Sequence, residues 1–312
     1  MKVILDVDPG IDDAVAMGQV LSRKHDIQLL GVTTVRGNAD INQVTVNALK
    51  IVQVFDRTDV PVFKGAAHGI IKSDKDGLYF HGEDGLGGGV ITEEPDMSQL
   101  QNEHAVSMIN RLVSEHPGEI TLICLGPLTN LALALRLNEK LGEQLKEVVI
   151  MGGNYQGVGN VTMAAEFNFY CDPVAARVVI EDLTCPKYLV SWELSGTRSY
   201  LSKEDLVTYC GYGNARCEFM KKLFESRDFF NEGCNFCDSV AVAVATNREI
   251  VVGTHEKYAT VDTESSLTKG MVVIGWNPQY DQTTNKLKKP NLIIIDKIDG
   301  LLYKQLFLES TK

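Results

Sequence analysis

The chain has 312 residues, 44% of them hydrophobic and 23% charged, with a formal net charge of −11. That length suffices for one large α/β domain or two small ones around a sizeable core, and the composition is that of an ordinary soluble enzyme. The acidic balance argues against nucleic acid or an anionic membrane surface as a partner, and it suits a neutral or cationic small ligand or a metal ion.

The chain opens on KVILDVDPGIDDA, an apolar run that ends in four carboxylates. Val3 to Val7 reads as a buried strand, Pro9-Gly10 as the turn that stops it, and Ala14, Val15, Met17, Gly18, Val20 and Leu21 as the inward side of a helix. Asp8 then stands at a strand end, with Asp12 and Asp13 in the first helical turn. The helix dipole favours carboxylates there, but three converging on one spot repel unless a cation lies between them. Hard oxygen ligands without His or Cys beside them point to calcium or magnesium rather than zinc. The plainer alternative is a loop with capping aspartates.

Ile27 to Thr34 is a second strand, ending at Val35-Arg36-Gly37-Asn38, and a helical pattern follows through Val44, Val46, Leu49, Ile51 and Val52. Val60 to Phe63 is a third. This alternation predicts an α/β fold, a mostly parallel open sheet with helices on both faces, as one domain over residues 1–312. From Gly65 to Met97 a long polar connection carries His81-Gly82-Glu83-Asp84-Gly85-Leu86-Gly87-Gly88-Gly89. Connections of that length in a compact domain are usually functional or disordered.

His104 to Ser114 reads as an amphipathic helix, and Glu119 to Leu125 as a strand ending in Gly126-Pro127-Leu128-Thr129-Asn130, where an apolar helix begins. Val148 to Met151 is a strand that stops at Gly152-Gly153-Asn154. In such sheets the ligand crevice lies beyond the carboxyl ends of the strands, where Asp8, Asn38, Leu125 and Met151 fall. After Gly157-Val158-Gly159-Asn160 and Ala165-Glu166-Phe167-Asn168 comes a helix through Ala175 and Ile180, then a strand from Lys187 to Leu194. Leu201 to Phe230 reads as helical, with Phe219, Phe224, Phe229 and Phe230 near its end, and Asp238 opens an apolar helix. Strands at Tyr258 to Thr263, Met271 to Trp276 and Leu292 to Ile295 suggest a small peripheral β extension, closed by a helix through Ile298, Leu302 and Leu306.

The N-terminus runs straight into a strand without the features of a secretory leader, and no apolar run approaches membrane-spanning length. Seven scattered cysteines read as reduced thiols, which places the expected location in the cytoplasm. Cys234 and Cys237 have the spacing of a zinc half-site, and Cys210 with Cys217 could supply the other half. The irregular spacing favours plain thiols.

DVDPGIDD, the Gly37-Asn38 pair, HGEDGLGG, LGPLTN, MGGN and AEFN stand in the order and spacing of the nucleoside hydrolases, the calcium-dependent ribohydrolases of the inosine–uridine type. The chain resembles that family over nearly its whole length. The resemblance implies hydrolysis of the N-glycosidic bond of ribonucleosides, purine, pyrimidine or both, to ribose and free base through an oxocarbenium-like transition state, as in nucleoside salvage. It implies that Asp8, Asp13, the Leu125 carbonyl and Asp238 hold Ca²⁺, and that Asp8 takes a proton from the attacking water as general base. It assigns Asp12, Asn38, Asn154, Asn160, Glu166 and Asn168 to the ribose hydroxyls, with Met151 on the same substrate-binding edge. His81 falls in the family's histidine motif near the base, either orienting or simply packing. Phe229 and Phe230 fall where the family has a variable aromatic region that covers the base, although aromatics at helical spacing more often belong to the core. The expected partner is a small-molecule ribonucleoside, with no nucleic acid or membrane, in a homodimer or homotetramer.

One position departs from the common pattern. Where many members carry a histidine before the late metal-binding aspartate, thought to protonate the leaving base, this chain has Cys237 before Asp238. That matches a cysteine-bearing subgroup. A thiol, with a reference pKa near ~8.5, can donate a proton, though it is a weaker hydrogen-bond donor than an imidazolium. The alternative is a thiol that merely lines the pocket.

Two rival readings remain. Asp6-Val7-Asp8 resembles the paired aspartates of haloacid dehalogenase-type phosphatases, with Asp6 as nucleophile and Mg²⁺ beside it, although the expected Thr after the pair is absent. A non-catalytic nucleoside- or ribose-binding homologue is the other.

Overall fold

The computed structural model describes residues 1–23, 25–72, 77–88 and 93–310. Parts of the expected connection between Gly65 and Met97, residues 73–76 and 89–92 with the last glycine of the histidine motif, lie outside the described residues.

Among the described residues, ten strands form one sheet: β1 (Lys2–Val7), β2 (Gln28–Thr34), β3 (Val62–Lys64), β4 (Leu100–Gln101), β5 (Ile120–Cys124), β6 (Glu147–Met151), β7 (Lys187–Val190), β8 (Val251–Val261), β9 (Val272–Gly275) and β10 (Leu292–Ile298). Their spatial order is β4, β3, β2, β1, β5, β6, β7, β10, β8, β9. Every pairing from β4 through to β10 is parallel, and only β10 with β8 and β8 with β9 run antiparallel. The expected β extension therefore continues the main sheet. The chain builds outward from β1 in one direction, then restarts at β5 on the other side. That reversal makes a topological switch point between β1 and β5, where open parallel sheets bind ligands.

Alternating residues feed two cores. Val3, Leu5 and Val7 face the cluster built on the Ile11–Ser22, Ile41–Val54 and Cys237–Thr246 helices. Ile4, with Leu122 and Ile150 from neighbouring strands, faces the cluster of the Ala105–Glu115, Thr129–Leu137 and Pro173–Asp182 helices. Each fully buried aliphatic side chain stabilises the fold by roughly 1.5–3 kcal/mol. The Cys237–Thr246 helix is buried from Cys237 to Ala245. Its valines are poor helix formers, so packing rather than propensity holds it.

Three expectations change. The strand from Lys187 stops at Val190, because the Ser191 hydroxyl accepts the Leu194 N–H (3.3 Å) and caps a helix, Trp192–Arg198. The stretch from Leu201 to Phe230 divides into Lys203–Tyr209, Ala215–Glu225 and Phe229–Glu232, with Ser202 and Asn214 capping the first two and Gly213 in the left-handed region before the second. The connection after Gly65 contains a short helix, Leu78–His81.

At the opposite end of the sheet, Lys187 is only 3% exposed and its Nζ donates to the Leu183 carbonyl. Burial lowers its pKa from 10.5 to about 8. The unfolded chain therefore binds more protons than the folded one between those values, and stability rises with pH across that window. Lys187→Met should flatten the rise, checked by urea midpoints at pH 8 and 10 for both proteins.

Candidate active site

The loops at the carboxyl ends of β1, β2, β5 and β6, with the N-terminal turns of the Ile11–Ser22 and Cys237–Thr246 helices, enclose a cavity of about 310 Å³. Its polar floor includes Asp12, Asn38, Asn160, Glu166, Asn168 and Asp238, and Phe80, Phe167, Trp192, Phe229 and Phe236 contribute aromatic wall.

Asp8 follows β1 directly and is 1% exposed. Its Oδ2 accepts the Asn38 N–H (2.8 Å), its own N–H donates to Asp13 Oδ1 (3.2 Å), and its carbonyl accepts Asn38 Nδ2 (3.1 Å). Asn38 Nδ2 also reaches Asp13 Oδ2 (3.1 Å), as does the Gly10 N–H (3.0 Å). Asn38 thus clamps two carboxylates as well as lining the cavity. Glycine is required alongside: a Cβ at Gly37 would come within 2.0 Å of Asp8 Oδ2, and one at Gly126 within 2.6 Å of Oδ1.

Asp12, Asp13 and Asp238 bring one carboxylate oxygen each within 4.8 Å of one another. Burial first, then mutual repulsion, raises the pKa values: Asp13 goes up to about 7, and Asp8 and Asp238 rise well above the usual carboxylate range. Asp8 Oδ1 and Asp12 Oδ1 are buried with no hydrogen-bond partner. An all-oxygen donor set with orphaned carboxylate atoms fits a hard divalent cation, which would remove both the repulsion and the unmet acceptors. No cluster of three His, Cys, Asp or Glu ligand atoms other than this one occurs among the described residues, so the four-cysteine zinc reading gains no support.

On the other wall, Glu166 caps the Phe167–Cys171 helix, accepting N–H groups from Asn168 (2.9 Å), Gly153 (2.8 Å) and Phe169 (3.2 Å), and burial pushes it up to about 7. Asn168 Nδ2 donates to the Leu125 carbonyl (2.7 Å) and the Met151 carbonyl (3.3 Å), tying the ends of β5 and β6 together. His81 Nδ1 accepts the Ile11 N–H (3.0 Å), so the ring is neutral and carries its proton on Nε2. Burial also lowers its pKa.

Most of the expected site residues meet here. Asp12, Asn38, His81, Leu125, Met151, Asn160, Glu166, Asn168, Cys237 and Asp238 line the cavity, and Asp8 and Asp13 lie buried at its base. Asn154 stands apart: it is fully buried, its amide donates to Ala164 O (2.6 Å) and Val158 O (3.4 Å), and its oxygen accepts the Val272 N–H (3.1 Å). Its place is behind the cavity wall. Phe229 lines the cavity while Phe230 packs edge-on against Phe224. Cys237 is the first residue of its helix, and burial raises its thiol pKa far above the ordinary value, so it stays protonated. Asp6, the nucleophile of the dehalogenase-type reading, is fully buried off the cavity, its Oδ1 accepting from Thr33 (2.6 Å) and Asn130 (2.8 Å).

Trp192, Phe80, Phe167 and Asn235 also line the cavity, although their residue types carried no signal. Trp192 stands just past the carboxyl end of β7, because the Ser191 cap ends the strand at Val190, four residues before the expected Leu194.

The acid-rich floor, the aromatic wall and the switch-point location mark this cavity as the site of an α/β enzyme. More specifically, the chain belongs to the inosine-uridine preferring nucleoside hydrolase family, whose family model matches residues 3–305. It is 34% identical over 282 residues to an uncharacterized protein of Schizosaccharomyces pombe, covering 88% of this chain and 89% of that one. It is 42% identical over 179 residues to the pyrimidine-specific ribonucleoside hydrolase RihB of Escherichia coli, a match spanning 57% of this chain and 55% of RihB, about half of that relative's length. Among solved structures, an inosine-guanosine nucleoside hydrolase superposes with a TM-score of 0.91 at 31% identity, over 99% of this chain and 98% of that one. No helix among the described residues is long and apolar enough to cross a membrane.

Proposed function

We propose that the chain hydrolyses the N-glycosidic bond of ribonucleosides to ribose and free base, with Ca²⁺ held by Asp8, Asp13, the Leu125 carbonyl and Asp238. The observation that carries this reading is the pair of orphaned oxygens, Asp8 Oδ1 and Asp12 Oδ1, buried in a carboxylate cluster at the cavity floor. When bound, the ion supplies positive charge that acidifies water and anchors a sugar diol. Asp8 is the general base that takes the proton from the attacking water. Asp12, Asn38, Asn160, Glu166 and Asn168 hold the ribose hydroxyls, with Met151 beside them, while Asn154 supports the same wall from behind. Phe229 and its aromatic neighbours receive the base, and His81 offers Nε2–H to the ligand. Seven unpaired cysteines suit a reducing cytoplasm, and the working form is a homodimer or homotetramer, to be read from size-exclusion with light scattering.

The test is ribose release from inosine, adenosine, guanosine, uridine and cytidine, with Ca²⁺ and again after chelation. Calcium-dependent release supports the proposal. No release from any of them, with calcium still bound, would make the chain a nucleoside-binding homologue. By their names, two of the functionally described relatives divide between pyrimidine and inosine-guanosine substrates, so the panel spans both.

A ribose grip leaves a buried carboxylate or amide unpaired when a hydroxyl is missing. Ribonucleosides should therefore exceed their 2′-deoxy counterparts in kcat/KM by at least about 10²-fold. Equal turnover of both sugars would contradict this assignment.

For Cys237 we propose donation of the thiol proton toward the leaving base. Cys237→Ala should then depress kcat most on nucleosides with poor leaving groups and spare activated aryl ribosides. An equal loss on both would reduce the residue to a wall of the pocket.

A further inference from the structure

Glu193, in the first turn of the Trp192–Arg198 helix, spends its carboxylate on a neighbouring loop. It accepts the backbone N–H groups of Tyr155 (3.1 and 3.2 Å), Gln156 (2.9 Å) and Val158 (3.2 Å), and it is 8% exposed. Three amide donors from a four-residue stretch thus converge on one buried anion. The stretch needs such an anchor, because Gly157 within it sits in the left-handed region and Val158 at its end is half exposed. Two residues further on is Asn160, which lines the cavity and whose N–H bonds to the Ala165 carbonyl (3.1 Å). At the other end of the same connection, the Trp192 N–H bonds to the Gly153 carbonyl (3.1 Å), and the Trp192 side chain is itself cavity wall.

We propose that Glu193 is a positioning residue for substrate: its carboxylate holds the 155–158 turn so that Asn160 stands in the cavity. It touches no ligand itself and does not line the cavity. Removing the acceptor frees three amides to seek water, and the loop that carries Asn160 loses its fixed start. The inference rests on the ribose contact proposed for Asn160.

The test is steady-state kinetics on whichever nucleoside the intact protein cleaves, with Glu193→Ala, Glu193→Gln, Asn160→Ala and the double variant Glu193→Ala/Asn160→Ala. Glu193→Ala should raise KM about tenfold while changing kcat less than about twofold, the pattern of lost uniform binding. Glu193→Gln keeps one oxygen to accept the amides and should fall between it and the intact protein, with an unchanged melting temperature. The double variant should be no worse than Asn160→Ala alone, because the two residues act through one contact. Losses that multiply in the double variant, or a Glu193→Gln protein whose kcat and melting temperature fall while KM holds, would overturn the proposal. An Asn160→Ala protein with unchanged KM would overturn it together with the ribose contact on which it rests. A KM effect at Asn160 combined with multiplying losses would overturn it alone.

Discussion

Asp8→Asn is expected to lower kcat for nucleoside hydrolysis by roughly 10²–10⁴-fold, the usual contribution of a positioned general base. Asparagine has nearly the shape of aspartate, which matters because Gly37 and Gly126 leave no slack around this side chain. The Asn38 N–H, 2.8 Å from Asp8 Oδ2, can still donate to an amide oxygen there. The fold should therefore survive. The electrostatics make a second, opposite expectation. Without metal, Asp8 is repelled by Asp13, so neutralising it should raise the melting temperature of the metal-free protein. With Ca²⁺ present the same change removes a ligand and should shrink the stabilisation that the ion supplies. Melting curves of the two proteins with and without calcium, beside ribose-release rates, read both effects. A variant that keeps its rate would remove Asp8 from the role of base.

Exhaustive chelation should abolish hydrolysis and lower the melting temperature, with Ca²⁺ restoring both. Asp8, Asp13 and Asp238 are buried beside the partly exposed Asp12, and neither Asp8 Oδ1 nor Asp12 Oδ1 has a hydrogen-bond partner. A cation that binds only the folded chain adds about 2.7 kcal/mol of stability at a hundred times its Kd. Mg²⁺ should restore less, because it demands a smaller octahedral shell and gives up water reluctantly, while Ca²⁺ accepts the irregular mix of carboxylates and a carbonyl proposed here. Melting temperature and activity titrated with each ion after chelation provide the comparison. Activity and melting temperature that ignore chelation would contradict the metal site.

Much of the site was legible because it is encoded locally. Asp8, Asp12 and Asp13 fall within six positions, and the strand, the turn at Pro9-Gly10 and the helix of that short segment dictate that they converge. Glu166 and Asn168 are likewise set by one capping turn. The strand-end rule placed Asn38, Leu125 and Met151 at the same edge, and the sheet order brings them there. Roles set by a partner distant in sequence leave no local pattern unless a family motif carries them. Asn154 belongs to a polar loop at the right edge, but its oxygen is taken by Val272, 118 positions away. Trp192 enters the wall because Ser191 ends a strand that hydrophobicity alone would continue.

The alternation of strand and helix, the carboxylate-rich first turn and the family motifs can all be read along the chain, since they follow from neighbouring residues. Asp238, 225 positions after Asp13, is tied to the carboxylate cluster by the family motif and is brought there by the packing of its helix, whereas that His81 is a neutral acceptor of the Ile11 N–H and that Glu193 anchors the 155–158 turn emerge only from the folded chain. Those outcomes depend on burial and on which groups meet across the switch point between β1 and β5. Hydrogen bonding and charge repulsion act through space, and local patterning carries no record of them.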